Sequence, residues 1–175
     1  MEPTLTISNS DKPRLLVVGY ARHGKDTACE YLQDWGLKFV SSSYYCAEKG
    51  IMAAFPGRWA SVDECFADRV NHRKLWYDLI AATNMPDGSY LARSIYEDGY
   101  DIYCGMRNKR ELFACRNTGL IDAVVWVDAS DRLPPESKDS CTIEPWMADY
   151  IIDNNGDLDN LQFNIDQLME HLTSA

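Results

Sequence analysis

Apolar positions along this chain fall into two alternating rhythms. Short unbroken apolar runs occur at Arg14–Val18, Leu37–Val40, Asp101–Cys104, Ala123–Val127 and Asp149–Ile152. Runs of this length without polar alternation predict strands covered on both faces. Between them the period lengthens to that of a helix. Lys25–Trp35 places Ala28, Tyr31, Leu32 and Trp35 on one face, and Gly36 stops it. Glu48–Phe55 reads as helical up to Pro56-Gly57. Ser61-Val62-Asp63-Glu64 has the form of a capping box and opens a longer helix, expected to run unbroken to about Thr83. Ser89–Glu97 and Asn108–Asn117 are further helices, and Leu158–Leu172 closes the chain with Leu158, Leu161, Ile165, Leu168 and Leu172 on one stripe. Strands alternating with helices predict an α/β three-layer sandwich, a mostly parallel sheet of about five strands with helices on both faces.

Composition narrows the class. At 175 residues, 46% hydrophobic and 25% charged, one soluble globular domain over residues 14–175 is expected, preceded by a flexible polar lead-in over 1–13. A net charge of −10 disfavours broad binding to a nucleic-acid backbone but leaves room for a local basic site. No apolar run reaches membrane-spanning length and Met1–Pro13 has no signal-peptide core, so a cytoplasmic location without membrane association is expected. The six cysteines form neither a C-x-x-C pair nor a zinc spacing, which points to reduced, mostly buried thiols.

The chemistry concentrates after the first apolar run. Leu15–Val18 leads into Gly19, four residues including Arg22 and His23, then Gly24-Lys25-Asp26-Thr27. Two glycines at this spacing let a loop turn its N–H groups inward around a phosphate chain, and the helix that follows adds its positive end. Lys25 supplies a point charge. Asp26 stands where a hydroxyl is usual and suits Mg²⁺, and Thr27 keeps a hydroxyl one position later.

Elsewhere the residues leave alternatives open. Ser41-Ser42-Ser43-Tyr44-Tyr45 follows the second strand at its carboxyl end, where ligands bind in open α/β sheets; it reads either as a helix cap with surface aromatics or as a wall for a base or sugar, with Ser42, Ser43 and Tyr44 in contact. Arg69 and Arg73, four apart, would share a helix face beside His72, either paired with Asp68 or Asp78 or clamping a phosphate. Tyr44, Tyr45, Trp76 and Tyr77 could all stack on a base. Arg107 ends the third strand, again at a ligand-binding edge. The segment 128–142 carries Pro134, Pro135 and Arg132, and is either an ordinary surface loop or a lid that closes over a transferring phosphate.

Several of these stretches together resemble one family. GYARHGKDT is similar to the phosphate loop of phage deoxynucleoside monophosphate kinases and related small P-loop kinases. DIYCGMRNKRE is similar to their segment in which a strand ends at an arginine followed by a glutamate, here Arg107 and Glu111. ADYIIDNNGDLDNL resembles the end of those kinases and of dephospho-coenzyme A kinases. The resemblance implies a P-loop NTPase core acting on small nucleotides in the cytoplasm of a phage-infected bacterial cell, with ATP and Mg²⁺ as cofactors and a nucleoside monophosphate as acceptor. It implies that Gly19, Arg22, His23, Gly24, Lys25, Asp26 and Thr27 hold the ATP phosphates and metal, with Asp26 the metal ligand. It implies that Asn154, Asn155 and Gly156 border the adenine. Arg69, Arg73 and Arg107 would hold the acceptor phosphate, Trp76 and Tyr44 the acceptor within a helical segment of about 44–98, and Arg132 would be the lid arginine. Lys25, Arg107 and Arg132 are the expected catalytic residues. Here the lid is short and poor in arginine.

Phage kinases acting on 5-hydroxymethyluracil in DNA look similar as well. The cluster Arg107-Lys109-Arg110 with Arg116 keeps nucleic acid open as an acceptor. A third reading is a nucleotide-binding module without turnover. A homodimer is compatible with all three.

Overall fold

The computed structural model describes residues 12–85 and 87–174. Eleven residues of the expected lead-in, 1–11, lie outside this range, as does Pro86 within the expected Asn84–Gly88 turn.

Five parallel strands form one sheet. In chain order they are β1 (Leu15–Val18), β2 (Phe39–Ser41), β3 (Ile102–Cys104), β4 (Ala123–Asp128) and β5 (Tyr150–Asp153), and their spatial order is β2-β3-β1-β4-β5. β1 is central, paired in parallel with β3 on one side and β4 on the other. The strand order reverses at β1, so the crevice outside its carboxyl end is where this architecture puts a ligand.

Both faces are covered, as the unbroken apolar runs require. Leu15, Val17, Val125 and Val127 pack with Ala28 and Leu32 of α1 (Lys25–Asp34) and with Leu161 and Ile165 of α8 (Leu158–Ser174). Leu16, Val18, Tyr103 and Trp126 point the other way, into a cluster with residues from the 45–115 region. The result is the expected three-layer α/β sandwich. No helix among the described residues is long and apolar enough to cross a membrane.

The second face departs from the expected helix boundaries. α2 (Ser42–Cys46) starts directly after β2. It continues through a π-helical turn over Ala47–Ile51 into the short α3 (Met52–Ala54). A Cβ on Gly50 would stand 2.8 Å from Leu79, so the turn presses closely against the helix carrying that leucine.

The long helix expected over Ser61–Thr83 is broken. α4 (Val62–Asp68) ends in a 3₁₀ turn over Arg69–Asn71, and α5 (Arg73–Thr83) begins afresh after His72. Asp68 supplies the reason. Its carboxylate accepts from Trp59 Nε1 at 2.9 Å and Asn71 Nδ2 at 2.8 Å and sits 3.1 Å from His72. These local bonds compete with continued helix, and they hold the Asp68 carboxyl below its ordinary pKa. α6 (Tyr90–Glu97) and α7 (Lys109–Asn117) complete the layer.

Candidate functional site

The phosphate-loop sequence does form a loop between β1 and α1. Gly19 has φ +152°, and a Cβ there would lie 2.6 Å from the Val127 carbonyl oxygen of β4. Gly24 has φ +92° and stands at the N-cap of α1 with no side-chain cap. The first-turn N–H groups of α1 are therefore left for an anion. Lys25 Nζ donates to the Tyr20 carbonyl across the loop at 2.8 Å. Burial lowers the pKa of Lys25; Arg107 pushes the same way, while Cys104, Asp26 and Glu136 oppose. Asp26 is exposed in the first turn of α1, and the Cys104 thiol lies 3.6 Å from its Oδ1.

The back of the loop is fixed by neutral hydrogen bonds. His23 is fully buried. Its Nδ1 accepts the Ala129 N–H at 3.0 Å, which assigns the proton to Nε2, 3.4 Å from the Pro134 carbonyl oxygen. Its own carbonyl accepts Asn154 Nδ2 at 2.9 Å. The His23 side chain thus faces the protein and not a phosphate. Asn154, expected beside an adenine, is buried and spends its amide on the loop. Asn155 Oδ1 accepts the Asp131 N–H at 2.9 Å, and Asn160 crowds Gly156. Arg132 donates Nε and Nη2 to the Asn154 carbonyl, so the expected lid arginine is anchored to the end of β5 and does not line the cleft.

A cleft of about 600 Å³ opens in front of the loop. Arg22, Lys25 and Asp26 line one end. Ser42, Ser43 and Tyr44 line the floor beyond β2, Phe66 and Arg69 the far wall, and Gly105 and Arg107 the side beyond β3. Both readings of the serine run have a share: Ser41 Oγ caps α2 by accepting the Tyr44 N–H at 3.2 Å, while the next two serines face the cleft. The Tyr44 hydroxyl donates to Asp63 at 2.8 Å, and its ring packs on Phe66 with centroids 5.4 Å apart. The Arg69 guanidinium lies 3.8 Å from the Phe66 ring centroid and donates to the Phe66 carbonyl.

Two expected members are missing. Arg73 is exposed at the start of α5 and does not line the cleft, because the break after Arg69 removes the shared helix face. Trp76 is 5% exposed within the apolar core, so it is packing and not a stacking platform. One residue had no place in the sequence reading. Glu136 Oε2 accepts the Ala21 N–H of the phosphate loop at 2.7 Å, and its Oε1 pairs with Arg107. Its partners lie 115 and 29 positions away, in a loop without periodicity, and no local signal marks it.

Among the described residues no three His, Cys, Asp or Glu side chains converge as a metal cage. A lone carboxylate at the mouth of a phosphate loop nonetheless suits Mg²⁺, which is held by one or two carboxylates together with substrate phosphates. A second cavity, about 580 Å³ and lined by Lys12, Arg14 and Lys38, lies at the amino ends of the strands, away from the switch point.

No protein-family model matches the chain, and no curated protein does. Solved structures align with most of its length. TT1252 from Thermus thermophilus aligns with a TM-score of 0.48 at 16% identity, over 91% of this chain and 98% of that one. Shikimate kinase from Bacteroides thetaiotaomicron aligns with a TM-score of 0.49 at 13% identity, over 92% and 98%. A gluconokinase from Sinorhizobium meliloti 1021 gives 0.41 at 13% identity, over 93% and 97%. At this distance the likeness concerns the fold alone.

Proposed function

We propose that this chain transfers the γ-phosphoryl group of ATP to a nucleoside 5′-monophosphate. One observation carries the reading: the phosphate loop shares a single cleft with Arg69, Arg107 and an aromatic pair, Tyr44 and Phe66. An anion site at one end and a cation-and-aromatic wall at the other match a donor triphosphate facing an acceptor with a phosphate and a base.

The acceptor is already an anion, so no general base is required. The loop N–H groups and Lys25 hold the donor phosphates, Arg107 bridges towards the acceptor, and Arg69 holds its phosphate. Mg²⁺, when bound at Asp26, neutralises charge on the donor phosphates. Asn155 and Gly156 border the adenine side of the loop in this reading.

The basic run after β3 gives less support to a DNA acceptor. Arg116 is spent within the chain, donating to Asp149 and to the Met147 carbonyl. The test is ADP release with ATP, Mg²⁺ and a panel of nucleoside and deoxynucleoside monophosphates, beside hydroxymethylated duplex DNA. Monophosphate-dependent ADP release, lost in Lys25→Ala with the fold intact, is expected. Release that depends on DNA alone, or ATP binding with no transfer, overturns the proposal.

A further inference from the structure

We propose that Glu136 is an internal competitor for the phosphoryl-binding position of the loop, so that the segment around it must lift before a polyphosphate seats fully. The inference rests on the phosphate-loop reading above and adds a second, mutually exclusive occupant to it.

The geometry is that of an anion already in place. One carboxylate oxygen of Glu136 takes a backbone N–H of the phosphate loop, at Ala21, 2.7 Å away. The other takes the Arg107 guanidinium. A backbone N–H and a guanidinium converging on one oxyanion is the donor set that holds a phosphoryl group. The carboxylate is also close enough to Lys25 to act on its charge. A phosphoryl oxygen arriving there would find both donors taken and a like charge beside it.

The segment is built to move in its middle. At its start, Ala129 is tied to His23 and Arg132 to the Asn154 carbonyl. At its end, the Thr142 N–H donates to the Arg107 carbonyl at 2.9 Å, and Thr142 Oγ1 accepts the Lys109 N–H, also at 2.9 Å. Buried Cys141 and Ile143 anchor that end in the core. Between these anchors, Pro134 and Pro135 and then Ser137–Ser140 are exposed, with Glu136 the half-buried exception. The Pro134 carbonyl keeps its contact with His23 Nε2 at 3.4 Å, so releasing the Glu136 carboxylate frees the stretch beyond Pro134 from the loop and unpins neither end.

The test is titration calorimetry with inorganic triphosphate and with ATP on the wild-type chain, Glu136→Gln and Glu136→Ala. Removing a charged competitor that holds two hydrogen bonds is expected to tighten triphosphate binding roughly tenfold in Glu136→Ala, with Glu136→Gln between it and wild type. Trypsin cleavage at Lys138, in the exposed stretch, is expected to speed up on adding triphosphate to wild type and to be fast from the start in Glu136→Ala. Affinity equal to or weaker than wild type in both variants overturns the proposal, as does Lys138 cleavage that triphosphate leaves unchanged. Should Glu136→Ala unfold, Glu136→Gln decides alone. A wild-type chain that binds neither triphosphate nor ATP defeats the phosphate-loop reading itself. A chain that binds them, with variants no tighter, defeats only the competitor.

Discussion

Replacing Asn154 by alanine separates a structural prop from a nucleotide contact. The side chain is 7% exposed and donates Nδ2 to the His23 carbonyl at 2.9 Å. The backbone bonds of Asn154, from its N–H to the Asp128 carbonyl and to its own carbonyl from Arg132, survive the change. The loss is therefore one buried hydrogen bond, and it leaves a carbonyl of the phosphate loop unpaired. That costs about 1–3 kcal/mol. A loss near 2 kcal/mol lowers the melting midpoint by about 4–8 °C in a chain of this size. ATP affinity falls as well, because the loop loses its rear support. Asn154→Asp sharpens the test. A carboxylate cannot donate to the carbonyl and is repelled by it, so its folded-state pKa is raised above the unfolded value. The variant binds more protons folded than unfolded, and its stability is lost as pH rises and regained as pH falls. Thermal unfolding followed by circular dichroism across pH, beside ATP titration, reads both effects. A midpoint within about 1 °C of wild type, with ATP affinity much reduced, would refute the prop and restore an adenine contact.

Other consequences follow from the same geometry. Arg69→Ala should raise the acceptor KM by roughly tenfold or more, as loss of a charge-assisted hydrogen bond does, and leave the ATP KM in place; Arg73→Ala should move neither. Steady-state kinetics with each substrate varied decides between them, and equal effects would restore the two-arginine clamp. Trp76→Ala should cost about 3–5 kcal/mol in urea unfolding, and an unaltered unfolding midpoint would show that the ring is not core. Native thiols should react slowly with an aromatic disulfide and fully only in denaturant, since all six are buried and burial pushes Cys46 and Cys115 up to about 12. Rapid native labelling would contradict the packing.

The parts legible in the sequence are those governed by local rules. LLVV and AVVWV read as strands because a central parallel strand is covered on both faces and needs no polar alternation. The turn between β1 and α1 reads from its glycines because two backbone positions there have no room for a side chain: Val127 and Asn154 stand where Cβ atoms would go. The helix break at Arg69–Asn71 was not legible. Neither proline nor glycine marks it, and it arises from Asp68 collecting donors from Trp59 and Asn71. Trp76 shows a related limit. An aromatic at helical spacing faces either a ligand or the core, and only the packing of α5 decides. Asn154 is expected beside the adenine, but its partner is 131 positions away, so its task is out of reach of any local pattern.

The contacts around the phosphate loop divide by chemistry. Behind it, the bonds between Asn154 and His23 and between Ala129 and His23 are buried. They involve no net charge, so an arriving anion neither competes with them nor screens them. In front, the contact of Glu136 with Ala21 and Arg107 is charged, and the Arg107 side chain is 45% exposed. Salt weakens such a contact and an anion replaces it. The rear bonds therefore hold the loop whether or not an anion is present, while in the proposal above the front contact bears on what occupies it. In the proposal above, a segment whose Arg132 is spent on the Asn154 carbonyl would still gate the cleft, because it would act by withdrawing a negative charge and not by delivering a positive one.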